Sequence, residues 1–396
     1  MKPLSGIALN VHESSTLAVD ALAKKLKAEG RDVIGFGTGE PDFDTPDNIK
    51  AAGIAAINAG QTKYTPASGL PALKKAICAR LKADCGVEYD PSQIVVASGA
   101  KHSIFVALCC LLNPGDEVLI PAPSWVTYAE SVAMAGGIPV LVDAPESASF
   151  KATPEQLRAA VTPATKLLIL NNPSNPTGML YDEAELRALA DVCIENDLYI
   201  MADEIYYRLM YDGKKFTSIA TLGEDVRERT ILINGVSKSY AMTGWRIGYS
   251  ASSAKIAKLM SNYLSHSTSA PSTISQYAAI EALEGDQTSV EEMRRVFEQR
   301  RDYIVARMNS IEGVSCIKPD GAFYIMVNIS ALKGRTLGGR VINDGDDFAM
   351  AFLESENVAV VPCSGFGAPD FLRWTYAVSM DDIKRGLDRL ESFLKA

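Results

Sequence analysis

The sequence predicts an α/β protein: a mostly parallel sheet covered by helices on both faces, joined to a smaller α+β portion. Three observations carry this. Short apolar runs recur from about residue 90 onward, at 94–97, 117–121, 166–171, 198–202 and 230–234, with helical stretches between them. Such runs are continuous rather than alternating, which means burial on both faces and therefore a parallel sheet under helices. From about residue 290 the texture changes to a long charged helix, EEMRRVFEQRRDYIVARM, followed by shorter strands and a terminal amphipathic helix. Finally, 396 residues, 47% of them hydrophobic, leave ample core for two or three domains of ordinary size.

In chain order, Leu17, Leu22 and Leu26 give helical spacing behind a polar start, where Ser15 or Thr16 can cap. The stretch VIGFGTGEPDFDTP carries glycines at 35, 37 and 39. It fails as a dinucleotide fingerprint, because two prolines stand where a helix should open, but it can bring backbone N–H groups close to a small ligand. A loop at 60–70 carries Tyr64 and leads into a helix with Leu73, Ile77 and Leu81 on one face. The strand at 94–97 turns through 98–101 into an apolar helix over 102–112, ended by Asn113-Pro114-Gly115. Thr153-Pro154-Glu155-Gln156 reads as a capping box with proline at the first helical position. Further strands are expected at 321–326, 358–361 and 372–376. The expected division is 1–45 as a segment joining the small domain, 46–290 as the large domain and 291–396 as the small one.

Composition excludes several functions. Lys and Arg number 39 against 48 Asp and Glu, a net charge of −9, so no basic face for nucleic acid or anionic lipid is expected. No apolar run approaches a membrane span. The start MKPLSGIALNVHESS has no signal-peptide core, and the seven cysteines lack CxxC spacing, so a cytoplasmic protein with reduced thiols is expected. Three histidines without ligand spacing make no metal site.

The polar residues that stand out fall just past the ends of predicted strands: Gly99-Ala100-Lys101, Trp125, Asn175, Asp203 with Tyr206, and Ser237-Lys238. Open α/β sheets bind ligands at that edge. Lys238, desolvated behind a buried strand, suits a lysine that forms a Schiff base with a carbonyl, and Arg246 eight residues on can fork onto a phosphate. Each residue also has a plainer role. Lys238 and Arg246 could be surface charges, Asp203 a helix cap, Tyr206 and Trp125 core, and Asn175-Pro176-Thr177-Gly178 only a turn. Lys101 opposes the helix dipole at a helix start, and Arg373 lies in an apolar run where an internal salt bridge would satisfy it.

In their order and spacing, Asn175-Pro176-Thr177-Gly178, Asp203-Glu204-Ile205-Tyr206, Ser237-Lys238 with Gly244-Trp245-Arg246-Ile247-Gly248-Tyr249, and Arg373 resemble the class I/II aminotransferases, over nearly the whole chain. The resemblance implies the pyridoxal-phosphate fold type I, with a seven-stranded sheet in the large domain and an active site shared between the subunits of a homodimer. It implies that Lys238 binds pyridoxal 5′-phosphate covalently and moves the substrate's α-proton. Asp203 would pair with the ring nitrogen, Tyr206 and Asn175 would bind the 3′-oxygen, and Trp125 would stack on the ring. Gly99, Ala100, Lys101, Ser237 and Arg246 would hold the phosphate, with Tyr64 reaching that of the neighbouring subunit. Arg373, Asn175 and the Gly39 amide would take the substrate α-carboxylate.

GEPDFDTP, Gly99-Ala100-Lys101 and Ala241-Met242-Thr243-Gly244-Trp245-Arg246 look most like the bacterial aspartate/prephenate branch. There, a lysine at the position of Lys101 and a Ser or Thr near the N-terminus (Ser14, Ser15 or Thr16) face the side-chain carboxylate. Many members carry Lys-Pro where this chain has His12-Glu13, and an acid there counts against the larger substrate, prephenate. The expectation is a transfer of the amino group from L-aspartate to 2-oxoglutarate in two half-reactions. The competing expectations are an aminotransferase for aromatic or neutral amino acids, a C–S β-lyase on the same scaffold, and a ligand-sensing regulator, which would need an appended DNA-binding domain that is not seen.

Overall fold

A computed structural model describes residues 2–9, 11 and 17–395. Ser14, Ser15 and Thr16, and the His12-Glu13 departure, lie outside the described residues.

Seven strands form one sheet: β1 (Ile94–Ala97), β2 (Glu117–Ala122), β3 (Ile138–Asp143), β4 (Thr165–Asn171), β5 (Tyr199–Asp203), β6 (Thr230–Gly235) and β7 (Gly248–Ala251). Their order is β1-β7-β6-β5-β4-β2-β3, and all neighbours are parallel except those of β7. Because β7 runs against both β1 and β6, those two point the same way, so the C-terminal ends of six strands come to one edge. The register aligns them: Asn171 lies opposite Asp203, Asp203 opposite Ile233, and Gly248 opposite both Gly235 and Ala97. Separate apolar clusters cover the two faces. One contains Val95, Ile169, Met201 and Ile233 under the Ala100–Leu111 helix; the other contains Leu168, Ile200 and Ala202 under the Glu183–Glu195 helix. Continuous apolar strands thus have their physical reason.

The parallel core matches expectation, with differences at its margins. Strand β3 was not anticipated: it is an edge strand with Ile138 and Leu141 exposed, so it has no continuous buried run. The structure adds a helix at Asp47–Asn58, with Pro46 as its N-cap residue. The helix expected over 102–112 begins at Ala100, which puts Lys101 in its first turn. Thr153 and Gln156 do form the reciprocal capping box.

A second, four-stranded sheet is built from β8 (Ser315–Cys316), β9 (Tyr324–Asn328), β10 (Val361–Pro362) and β11 (Phe371–Thr375), in the order β10-β11-β9-β8. The strand expected over 321–326 starts three residues late. Gly321 to Phe323 form a turn with Ala322 at φ 58°, and a Cβ at Gly321 would stand 2.8 Å from the Leu209 carbonyl. The expected strand over 358–361 is split into two short pieces, the first of which, Val358–Ala359, pairs with Ile34–Gly35. That pairing fixes the start of the glycine-bearing segment beside the second sheet. Asp42 then grips Arg300 of the Thr288–Met308 helix through two hydrogen bonds of 2.7 and 2.9 Å. The same segment therefore runs from the second sheet to the edge of the first, and between the two edges lies a cavity.

Candidate active site

Asp203 ends β5 and is buried at the cavity floor. The Tyr128 phenol donates to its Oδ2 at 2.7 Å, and the Ile205 amide to Oδ1 at 3.2 Å. Burial pushes its carboxyl up to about 6, against the pull of those two donors. Its own carbonyl accepts from Asn171 Nδ2 at 2.8 Å, and Asn171 Oδ1 accepts from the Asn175 amide at 2.7 Å. Two adjacent strand ends and the loop bearing Asn175 are thereby locked together.

Lys238 follows β6. Its Nζ donates to the Gly39 carbonyl and lies about 6 Å from the ring centres of Tyr206 and Phe323. Burial, and next the positive charge of Arg373, lower its amine to about 8; Glu40 and Asp203 pull the other way. The hydrogen-bond acceptor of the lysine is a neutral carbonyl and not a carboxylate.

On the far side, Gly99 opens the Ala100–Leu111 helix at φ 89° with no side-chain cap, leaving the Ala100 and Lys101 N–H groups free to face an anion. Only glycine fits there: a Cβ would lie 2.3 Å from Arg246 Nη2. Arg246 itself takes the left-handed conformation, φ 56°, and donates to the carbonyls of Thr243 at 3.0 Å and Ser98 at 3.3 Å. A bound anion would be the stronger acceptor. Lys101 Nζ sits 4.9 Å from the centre of the Trp125 ring, which meets Tyr128 edge-on at 5.4 Å.

Arg373, on β11, has no carboxylate partner among the described residues, so the salt bridge considered from sequence is replaced by neutral contacts. Nη1 donates to Asn175 Oδ1 at 3.1 Å and Nη2 to the Gly37 carbonyl at 2.9 Å, while Nε is buried with no protein acceptor. Its guanidinium lies over the Tyr324 ring at 4.5 Å. A buried arginine left with its charge uncompensated is a ready receptor for a carboxylate.

These groups line one cavity of about 630 Å³. Among the described residues, every expected site residue faces it except Gly99, which lies directly behind Arg246, and Tyr64. Tyr64 is fully exposed, in a separate surface hollow with Pro271 and Thr273. Sequence reasoning missed Tyr128, Asn171 and Tyr324, all of which hold expected site residues, together with Glu40 and Thr243, whose hydroxyl donates to Glu40 at 2.6 Å. Tyr128 had a signal, since it stands one helical turn after Trp125. Tyr324 had none.

The residue set fits a pyridine aldehyde phosphate: an acid for a ring nitrogen, a low-pKa lysine for a carbonyl, and a glycine-backed helix start with an arginine for a phosphate. The known proteins that this chain is similar to are described as aminotransferases. The family described as "Aminotransferase class I and II" matches residues 31–390. An aspartate aminotransferase of Bacillus sp. (strain YM-2) is 50% identical over 96% of each chain. An aspartate/prephenate aminotransferase of Cereibacter sphaeroides is 47% identical over 98% of each. Among solved structures, the aspartate aminotransferase of Rhizobium meliloti superposes with a TM-score of 0.96 at 40% identity, covering 100% of this chain and 99% of that one. That of Thermus thermophilus with maleate gives 0.93 at 36% identity, covering 99% and 100%.

Proposed function

This chain belongs to the class I and II aminotransferases, and from that premise we propose that it transfers the amino group of L-aspartate to 2-oxoglutarate, using pyridoxal 5′-phosphate. The enzyme is a transaminase; the donor, cofactor and residue roles are our reading. One observation carries it: the Lys238 amine, lowered to about 8, stands in the same cavity as the Asp203 carboxylate and the uncompensated Arg373 guanidinium.

Bound there, pyridoxal phosphate supplies the carbonyl that takes up the amino group and the ring that draws electrons from the substrate's α-carbon. Asp203 would face the ring nitrogen, where a cationic N–H restores the ionised carboxylate that burial disfavours. The Ala100 and Lys101 amides, Ser237 and Arg246 would hold the phosphate, and Trp125 would cover the ring. Tyr206 and Asn175 would hydrogen-bond the ring oxygen. Lys238 would hold the cofactor through its amine; freed when the substrate's amino group takes its place there, the neutral amine would take the proton from the substrate α-carbon. Arg373, with Asn175 and the Gly39 amide, receives the α-carboxylate. Lys101, beside Trp125, receives the second carboxylate, as suits relatives whose names specify aspartate.

The same proposal includes a homodimer in which Tyr64 of each chain completes the other's phosphate site, and a cytoplasmic location, which the seven free cysteines suit. Among the described residues no helix is long and apolar enough to cross a membrane. We further propose residues 46–290 as the cofactor-binding domain, with 1–45 and 291–396 forming the other; the pairing of Ile34–Gly35 with Val358–Ala359 supports this. Prephenate as a second acceptor is favoured by the 47% identical relative of that name.

The test is a single-turnover spectrum of protein loaded with pyridoxal phosphate, offered L-aspartate, L-glutamate, L-phenylalanine and L-alanine in turn. Fastest conversion of the cofactor with aspartate and glutamate is expected. Faster conversion with phenylalanine or alanine would replace the substrate, and a protein that takes up no cofactor would end the proposal.

A further inference from the structure

We propose that Tyr324 is a positioning residue whose single side chain holds both the Tyr206 hydroxyl that faces the cofactor ring and the Arg373 guanidinium that faces the substrate carboxylate. This rests on the cofactor reading of the cavity.

The backbone makes the arrangement possible. Tyr324 opens β9 opposite Thr375 of β11, and Arg373 is two residues from Thr375, on the same face of the sheet. Tyr324 and Arg373 are therefore diagonal neighbours, and the ring passes beneath the guanidinium at 4.5 Å. From the far end of that ring, Oη lies 3.1 Å from Oη of Tyr206, with the two rings edge to face at 5.9 Å and 82°. The same hydroxyl defines the floor under the glycine segment. A Cβ at Gly39 would stand 3.2 Å from it, and the Gly39 carbonyl is the acceptor for Lys238.

A ring alone would satisfy the packing, since Tyr324 is fully buried in the apolar cluster. The hydroxyl is the informative atom. A phenol carries one proton, so two phenols in contact offer one donor to each other and one outward. Burial keeps both protonated well past neutral pH. If Tyr206 gives its proton to a ring oxygen of the cofactor, it must accept from Tyr324. A donor polarised in this way is strengthened, and it stabilises negative charge on the oxygen it serves. The proton of Tyr324 thus acts on the cofactor through Tyr206, while its ring acts on the substrate through Arg373. The two functions can be separated by substitution.

Tyr324→Phe removes the proton and keeps the ring. Thermal unfolding first establishes that the variant is folded. A spectrophotometric pH titration of the bound cofactor then reads the hydroxyl: a weaker donor destabilises the deprotonated cofactor, so the midpoint rises, by roughly 0.5 to 1 in pH. The other groups that set this midpoint, namely Asp203, Glu40, Lys238, Arg246 and Arg373, are untouched. We expect kcat to fall about threefold or more while KM for the amino acid stays within about twofold. Tyr324→Leu, which removes the ring as well, should raise KM too. Tyr206→Phe should move the midpoint at least as far as Tyr324→Phe, and the double Phe variant no further than Tyr206→Phe alone. An unmoved midpoint in Tyr324→Phe, or shifts that simply add in the double variant, overturns the proposal. Wild-type protein that takes up no pyridoxal phosphate overturns it together with the cofactor reading, so the wild-type spectrum tells the two failures apart.

Discussion

Tyr128 donates its phenolic proton to Asp203 Oδ2 at 2.7 Å, and among the described residues no other side chain donates to that carboxylate, which burial would otherwise neutralise. The bond favours the ionised form, opposing desolvation. Its removal in Tyr128→Phe should move the Asp203 pKa upward from about 6 and into the working range. A hydrogen bond to a charged group contributes about 1.5 to 3 kcal/mol, so cofactor affinity near pH 7 should fall at least about tenfold. Equilibrium dialysis against pyridoxal phosphate at pH 6, 7 and 8 checks this. The loss should be largest at pH 6, and an equal loss at every pH would mean the phenol only fills space.

Lys238 makes a prediction of opposite sign. Its folded pKa is lowered, so the neutral, nucleophilic amine accumulates as pH rises and is half formed at about 8. The rate at which cofactor-free protein captures pyridoxal phosphate should climb about tenfold per pH unit up to that point and then level off. A lysine with its ordinary pKa of 10.5 would keep climbing to about pH 10. Stopped-flow absorbance distinguishes the two, and Lys238→Ala should retain no cofactor through gel filtration in denaturant.

How much of this was legible beforehand depended on whether a residue's role is local. Asp203 ends a buried strand and Lys238 follows one, so their placement at the ligand edge follows from a run of apolar residues and a topological rule. Gly99 is a turn glycine that sequence alone can suspect. Tyr128 and Tyr324 are different: each is an aromatic residue in an aromatic-rich context, and what it does is set by a partner 75 or 118 residues away. No local pattern encodes such a distance. Strand β7, GYSA, was hidden for a related reason, because its β-propensity is poor and it is held by pairing on both sides. Gly248 serves contact and not chain flexibility there: a Cβ would meet the Ala100 amide nitrogen at 2.2 Å.

Substrate selection should divide between the two cations. Arg373 is buried and presents a fork, so Arg373→Lys should lower kcat/KM by about a hundredfold for every amino acid, acidic or neutral. Lys101 lines the same cavity as a separate cation, its Nζ over the Trp125 ring. Lys101→Met, which keeps the aliphatic length, should lower kcat/KM about tenfold or more for aspartate and glutamate and less than about threefold for alanine. Steady-state kinetics with the three amino acids gives the ratio directly. Equal losses in Lys101→Met would return that lysine to the phosphate site and leave the second carboxylate without a receptor.

Tyr64 is the remaining expected site residue, and in the isolated chain it is fully exposed and outside the cavity. A fully exposed tyrosine ring on a loop presents an apolar face and a hydroxyl that a partner can cover. If the partner subunit's phosphate site is that cover, a mixed dimer should show it. Lys238→Ala and Tyr64→Ala chains are each defective alone, one in its own amine and the other in what it lends. Refolded together, they form a hybrid with one defect-free site, since the Tyr64→Ala chain keeps its lysine and borrows the tyrosine of the Lys238→Ala chain. Activity in the mixture should exceed the sum of the two parents several-fold. A mixture no better than that sum, with dimers present by light scattering, would place Tyr64 outside the partner's site and make each active site the property of one chain.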